Sequence, residues 1–145
     1  MQNPIAVVGL GYVGLPLSLQ FCRKGTHVVG LDIDRIKVEK LNLGESFIHH
    51  IPSATVAAEV QAGRFSASTD FSQVVKCRAV VICVPTPLNK NREPDISYII
   101  ATGKAIAPHL RRGVLVVLES TTYPGTTDED LRKVLEEGSG LKAGT

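Results

Sequence analysis

The chain has 145 residues, 43% of them hydrophobic and 21% charged, which fits one ordinary domain with a hydrophobic core. A formal charge of only +2, scattered basic residues and few aromatics with no tryptophan argue against nucleic acid or a membrane surface as partner. No stretch reaches bilayer-spanning length and the N-terminus lacks a basic leader region, so a cytoplasmic location is expected. Cys22, Cys77 and Cys83 are odd in number and match no zinc spacing, so they are read as packing residues in a reducing compartment.

The β-branched run Ile5–Val8 predicts a buried strand, followed by a turn over Gly9–Gly14. A helix is expected over Tyr12–Lys24, with Leu15, Leu19 and Cys22 on one face and Gly25 closing it. Thr26–Leu31 predicts a second strand that ends on Asp32. Asp34 caps a helix over Arg35–Leu43, and Ser53 is expected to cap another over Ala54–Ala62. Phe65–Ser68 is a brief strand, and Asp70 caps a short helix running to Val75.

Ala79–Val84 reads as a buried strand containing Cys83, and a polar, proline-bearing loop leads on to Asp95. Then come a helix over Ile96–His109, a strand over Val114–Leu118 and a helix over Thr126–Glu137. Strands and helices alternate throughout. The expected fold class is α/β: a Rossmann-like, doubly wound parallel sheet in three αβα layers. Five strands in the order 3-2-1-4-5 would leave a sixth place beside the fifth.

Gly9-Leu10-Gly11-Tyr12-Val13-Gly14 matches G-x-G-x-x-G, a weak signal alone. Here it follows an apolar strand, opens a helix and precedes a second strand ending in an acid, which is the dinucleotide-binding context. Gly9 permits the tight turn, Gly11 lets a pyrophosphate approach the backbone, and Gly14 allows close helix packing. Free N–H groups at Tyr12 and Val13, with the positive end of the helix dipole, suit phosphate. The alternative is that the glycines only shape a turn.

Asp32 lies 18 residues after Gly14, where a carboxylate accepts hydrogen bonds from the adenosine ribose and repels a 2′-phosphate. That favours NAD over NADP; a solvated strand-end acid is the other reading. Asp34 is read first as a cap, with cofactor contact as its alternative. Arg35 is placed near the adenine; a bond from it to a 2′-phosphate would weaken the NAD reading.

Beyond the later strands, Val84-Pro85-Thr86-Pro87 presents Thr86 either toward the cofactor or as a turn residue. Glu119–Thr127 gathers hydroxyls, Thr121 among them, either where substrate meets nicotinamide or simply as the start of a helix. His49 and His50 are adjacent with no third ligand evident; His27 and His109 read as surface or packing positions. No metal site is expected.

The chain resembles the N-terminal domain of the UDP-glucose/GDP-mannose dehydrogenase family. The matching motifs are GLGYVGLPL (9–17), GLDID (30–34), LNLGE (41–45), ICVPTPL (82–88) and ESTTYPGTT (119–127). They run in the family's order over nearly the whole chain. FIHHIPS (47–53) and the ESTTYPG wording place it nearest the UDP-N-acetylglucosamine, or related UDP-N-acetylhexosamine, 6-dehydrogenase branch. The resemblance implies oxidation of a sugar C6 alcohol to a carboxylate with two NAD⁺ in succession, through a thioester on a cysteine.

By the same resemblance Gly9, Gly11, Gly14 and Asp32 hold the first half of NAD and Thr86 contacts the cofactor. Thr121 matches a threonine near the nicotinamide and its water or proton-transfer network, a supporting catalytic position. Glu119 stands where other branches carry lysine, so no shared role passes to it. The family's catalytic cysteine, lysine and asparagine belong to middle and C-terminal substrate domains. Residues 1–145 are therefore expected to be an NAD-binding fragment without turnover of its own. The full-length enzyme is expected to take a UDP-sugar and to form a homodimer or higher homo-oligomer. The alternatives are an NAD-dependent hydroxyacid dehydrogenase domain and a non-catalytic NAD-sensing domain.

Overall fold

The structure, a computed structural model, describes residues 3–122 and 124–144; Tyr123 of the ESTTYPGTT segment lies outside them. Four-residue strands β1 (Ile5–Val8), β2 (Val28–Leu31), β3 (Phe65–Ser68), β4 (Ala79–Ile82) and β5 (Leu115–Leu118) form one parallel sheet in the order β3-β2-β1-β4-β5. This is the doubly wound order expected from the alternation of elements. Period-two side chains split β1 between two cores. Ile5 and Val7 face helices α1 (Gly14–Arg23), α2 (Arg35–Asn42) and α3 (Ser53–Gln61), meeting Leu15, Val38 and Val56. Ala6 and Val8 face α4 (Ser97–Ile106) and the last helical segment, meeting Ile99, Ile106 and Leu131. Three αβα layers result.

Several boundaries differ from the sequence reading, each for a local reason. Ser53 is not the cap of α3. Pro52, at φ −64 and ψ 142, takes the capping position without a side-chain bond, and Ser53 Oγ accepts from the Ser46 N–H at 3.0 Å, tying down the preceding loop. Asp34 does cap α2, accepting from Ile36 and Lys37. Asp70 caps a 3₁₀ stretch, Phe71–Lys76. Past α4 the chain tightens into a 3₁₀ turn at Ala107–His109, because Pro108 has no N–H to continue the helical ladder. The final helix opens as a π-helical stretch, Thr126–Leu131, before α5 (Arg132–Ser139).

Cys83 lies outside β4. Its N–H still donates to the Val8 carbonyl at 2.7 Å, but β1 ends there because Gly9 turns away at φ +93. With that neighbour gone, the chain leaves the sheet and Cys83 is half-buried rather than embedded in strand packing. Cys22 and Cys77 are buried as expected. On the opposite edge, Asn42 mimics a strand partner for β3: its amide accepts from the Ala67 N–H at 2.9 Å and donates to the Ala67 carbonyl at 2.8 Å. An edge with its backbone groups occupied does not recruit another chain there.

The thiols make alkaline stability testable. Burial, helped by the nearby Glu59, pushes Cys22 from the ordinary 9.0 up to about 12, and burial, helped by Glu119, pushes Cys83 up to about 11. Folding thus favours the protonated thiol. This stabilisation is fully present below the unfolded value of 9.0 and is lost as pH rises toward about 11 to 12. Urea midpoints of the wild type should fall more between about pH 8 and about pH 10.5 than those of Cys22→Ala. Equal falls would show that Cys22 contributes nothing to alkaline unfolding.

Candidate functional site

At the carboxyl ends of β1 and β4 the connections diverge, one toward β2 and one toward β5. A crevice must open at such a point. Here it is a cleft of about 660 Å³. Its first end is walled by Asp32, Ile33, Asp34 and Lys37, its middle by the glycine turn and Cys83–Thr86, and its other end by Glu119–Thr121.

The glycine turn has three distinct constraints. Gly9 sits at φ +93 and its Cα presses against the Cys83 carbonyl, where a Cβ would come within 2.7 Å of the oxygen. A Cβ on Gly14 would lie 1.6 Å from the Gly9 carbonyl oxygen. The close approach that Gly14 permits is therefore to the turn itself, with Cys83 behind it. Gly11 differs: a Cβ there would meet nothing within 4 Å, so this glycine faces open cleft. Just beyond, α1 starts after Val13 with no side-chain cap on its first amides. Uncapped N–H groups at a helix start suit an anion. Tyr12 and Val13 both line the cleft and are exposed.

Asp32 is buried, and both oxygens are engaged from the protein side. Oδ2 accepts from the Leu10 N–H and Oδ1 from the Asp34 N–H, each at 2.9 Å. The carboxylate thus fastens the end of β2 to the glycine turn. A carboxylate offers about four acceptor positions, so about two remain. The Leu10 contact carried no signal in the sequence, since it joins residues 22 apart.

At the far end, half-buried Thr86 and exposed Thr121 line the same cleft as Asp32. Two sequence-predicted residues are left out of the lining: Gly14, packed behind the turn against the Gly9 carbonyl, and Arg35. The Arg35 Nε bonds Glu39 at 3.1 Å, one helical turn on, and its side chain is exposed. Lys37 takes a place there instead, its ammonium 5.4 Å from the Phe47 ring centroid. Tyr98 and Thr102 of α4 also reach the cleft. The signal for Lys37 was its position one turn into a capped helix; for α4 there was none. His49, His50 and His27 are exposed, and no cluster of metal-ligating side chains occurs among the described residues. No helix among those residues is long and apolar enough to cross a membrane.

The cleft fits a dinucleotide by its own features. The space over Gly11 is what a Cβ would have filled, uncapped amides face it, and a fixed carboxylate stands at one end.

Comparison with known proteins agrees with that fit. The sequence model of the UDP-glucose/GDP-mannose dehydrogenase family's NAD-binding domain matches residues 3–145. The chain is 38% identical over 138 residues to UDP-N-acetyl-D-glucosamine 6-dehydrogenase of Pseudomonas aeruginosa, covering 95% of this chain and 32% of that protein. It is 40% identical over 128 residues to UDP-N-acetyl-D-mannosamine dehydrogenase of Salmonella typhi, covering 86% and 29%. Among solved structures, it superposes on a ternary complex of GDP-mannose dehydrogenase from Pseudomonas aeruginosa with a TM-score of 0.92 and 34% identity, covering 97% of this chain and 34% of that one. The chain spans about a third of the length of the relatives it matches.

Proposed function

The chain belongs to the UDP-glucose/GDP-mannose dehydrogenase family as its NAD-binding domain, and from that premise we propose that it is the cofactor-holding part of a UDP-N-acetylhexosamine 6-dehydrogenase. The observation that carries this reading is the continuous cleft from Asp32, past Gly11, to Thr121. NAD⁺ supplies the hydride acceptor, used twice as the sugar C6 alcohol becomes a carboxylate.

The chain's own residues bind and orient. Gly9 and Gly14 shape the turn, and Gly11 with the Tyr12 and Val13 amides receives the pyrophosphate. Asp32 accepts from the adenosine ribose through its remaining lone pairs. Thr86 contacts the nicotinamide half. Thr121 takes the supporting position near the reacting carbon, where a hydroxyl holds a water or passes a proton. The resemblance assigns the nucleophilic cysteine to a region outside these 145 residues. The choice of an N-acetylated sugar is supported by the FIHHIPS and ESTTYPG wording and by the names of the two curated relatives.

Calorimetric titration of this chain should show NAD⁺ binding with at least about a tenfold preference over NADP⁺. Adding UDP-N-acetylglucosamine should yield no NADH. A preference for NADP⁺ would overturn the role given to Asp32, and turnover would overturn the division of labour.

A further inference from the structure

The geometry points to Ser120 as a positioning residue that fixes the nicotinamide end of the cleft by locking the segment after β5 onto the segment after β4. This rests on the NAD reading above. Backbone bonding between β4 and β5 runs from the Leu115 N–H to the Arg78 carbonyl at 3.1 Å up to the Glu119 N–H on the Ile82 carbonyl at 2.9 Å. The next outward carbonyl in that register belongs to Val84. It accepts instead from the Ser120 hydroxyl, at 2.8 Å and from 36 residues away. A side chain thus extends the strand pairing one step past the end of the sheet.

What this step holds is specific. On one side of Val84 the Cys83 N–H donates to the Val8 carbonyl at 2.7 Å, and the Cys83 carbonyl stands where a Cβ on Gly9 would meet it, so the segment after β4 is already held against the phosphate turn. On the other side the Ser120 bond links it to the segment after β5, one step beyond the last backbone rung. Thr86 lies two residues past Val84, and Thr121 one residue past Ser120; both line the cleft. In a doubly wound sheet the two mononucleotide halves lie on either side of the switch point. With Asp32 and the glycine turn serving the adenosine and pyrophosphate, the β4–β5 side is left for the nicotinamide half. Ser120 lines the cleft too, but its hydroxyl donates to Val84, and through that bond it sets the distance between the two threonines that border the nicotinamide half.

The test is ligand-resolved. Wild type, Ser120→Ala and Ser120→Thr are titrated with NAD⁺ and with AMP, with far-ultraviolet circular dichroism confirming the fold of each. Ser120→Ala should bind NAD⁺ about fivefold to tenfold more weakly, the effect of losing one partly buried hydrogen bond, and AMP unchanged. Ser120→Thr keeps the hydroxyl and should restore NAD⁺ affinity. Equal weakening toward both ligands would make Ser120 merely structural, and unchanged NAD⁺ affinity in Ser120→Ala would remove its role; either overturns the proposal. A wild type that binds neither ligand would overturn the NAD reading itself, and with it this one.

Discussion

Gly14→Ala is expected to lower the melting temperature of the chain by about 10 °C or more, whereas Gly11→Ala should leave it unchanged or slightly raised. The two glycines belong to the same six-residue motif, but the physics at each is different. At Gly14 the new Cβ would stand 1.6 Å from the Gly9 carbonyl oxygen. That contact is with backbone, so no rotamer relieves it. Either α1 moves away from the turn or the turn distorts, and Gly9 is itself pinned against the Cys83 carbonyl. Overpacking of this kind costs about 3 kcal/mol or more, a large share of the stability of an ordinary domain.

At Gly11 the new methyl meets nothing within 4 Å of the protein and fills space that the cofactor needs. Its effect falls on binding: NAD⁺ affinity should drop by at least about tenfold. Thermal melts and calorimetric titrations on both variants separate the two effects. A Gly14→Ala protein that melts with the wild type would show that the turn is softer than its contacts imply. A Gly11→Ala protein that binds NAD⁺ normally would move the pyrophosphate away from this turn.

What could be read from the sequence was what is local. The run from Ile5 through the glycines to Asp32 keeps strand, turn, helix and acid within one βαβ unit, so spacing alone carried it. The strand order came with the Rossmann arrangement that the glycine fingerprint signals; alternation and right-handed crossovers alone also allow 2-1-3-4-5. Contacts between distant segments left no such trace. Asn42 holds Ala67 across 25 residues, and Ser120 holds Val84 across 36. Nothing in a serine among five nearby hydroxyls distinguishes the one that bonds the backbone. The end of β4 was hidden for another reason. The run Val80–Val84 is uniformly apolar, so the sequence has no mark where pairing stops. The mark is on a different strand, at Gly9, where β1 turns away. Arg35 was placed near the adenine by its position after Asp32, and Glu39 one turn later engages it, an i,i+4 pair that helix geometry makes available.

Asp32→Ala should cost both stability and cofactor selectivity, which sets it apart from a ligand-binding acid of ordinary kind. The carboxylate accepts from Leu10 and from Asp34, and the Leu10 bond is buried. Removing it leaves the buried Leu10 N–H without its acceptor, beside a side chain that is itself fully buried. A buried donor left without a partner costs about 1–3 kcal/mol. Asp32→Asn is the sharper variant. An amide has one oxygen and one NH₂, so one of the two backbone donors would face a donor. The asparagine should therefore be destabilised as well, although it is nearly the same size as aspartate.

Both variants should lose the preference for NAD⁺ over NADP⁺, since the negative charge that repels a 2′-phosphate is gone. Chemical denaturation reads the first effect, and paired NAD⁺ and NADP⁺ titrations read the second. If Asp32→Asn were as stable as the wild type, the bond to Leu10 would be incidental to the turn. If its cofactor preference were unchanged, selectivity would reside elsewhere in the first end of the cleft, whose wall includes the cation Lys37. Should both effects appear together, one carboxylate ties the glycine turn to β2 and selects the ligand. The position would then tolerate neither a neutral isostere nor a shorter side chain, whatever sugar the longer enzyme oxidises.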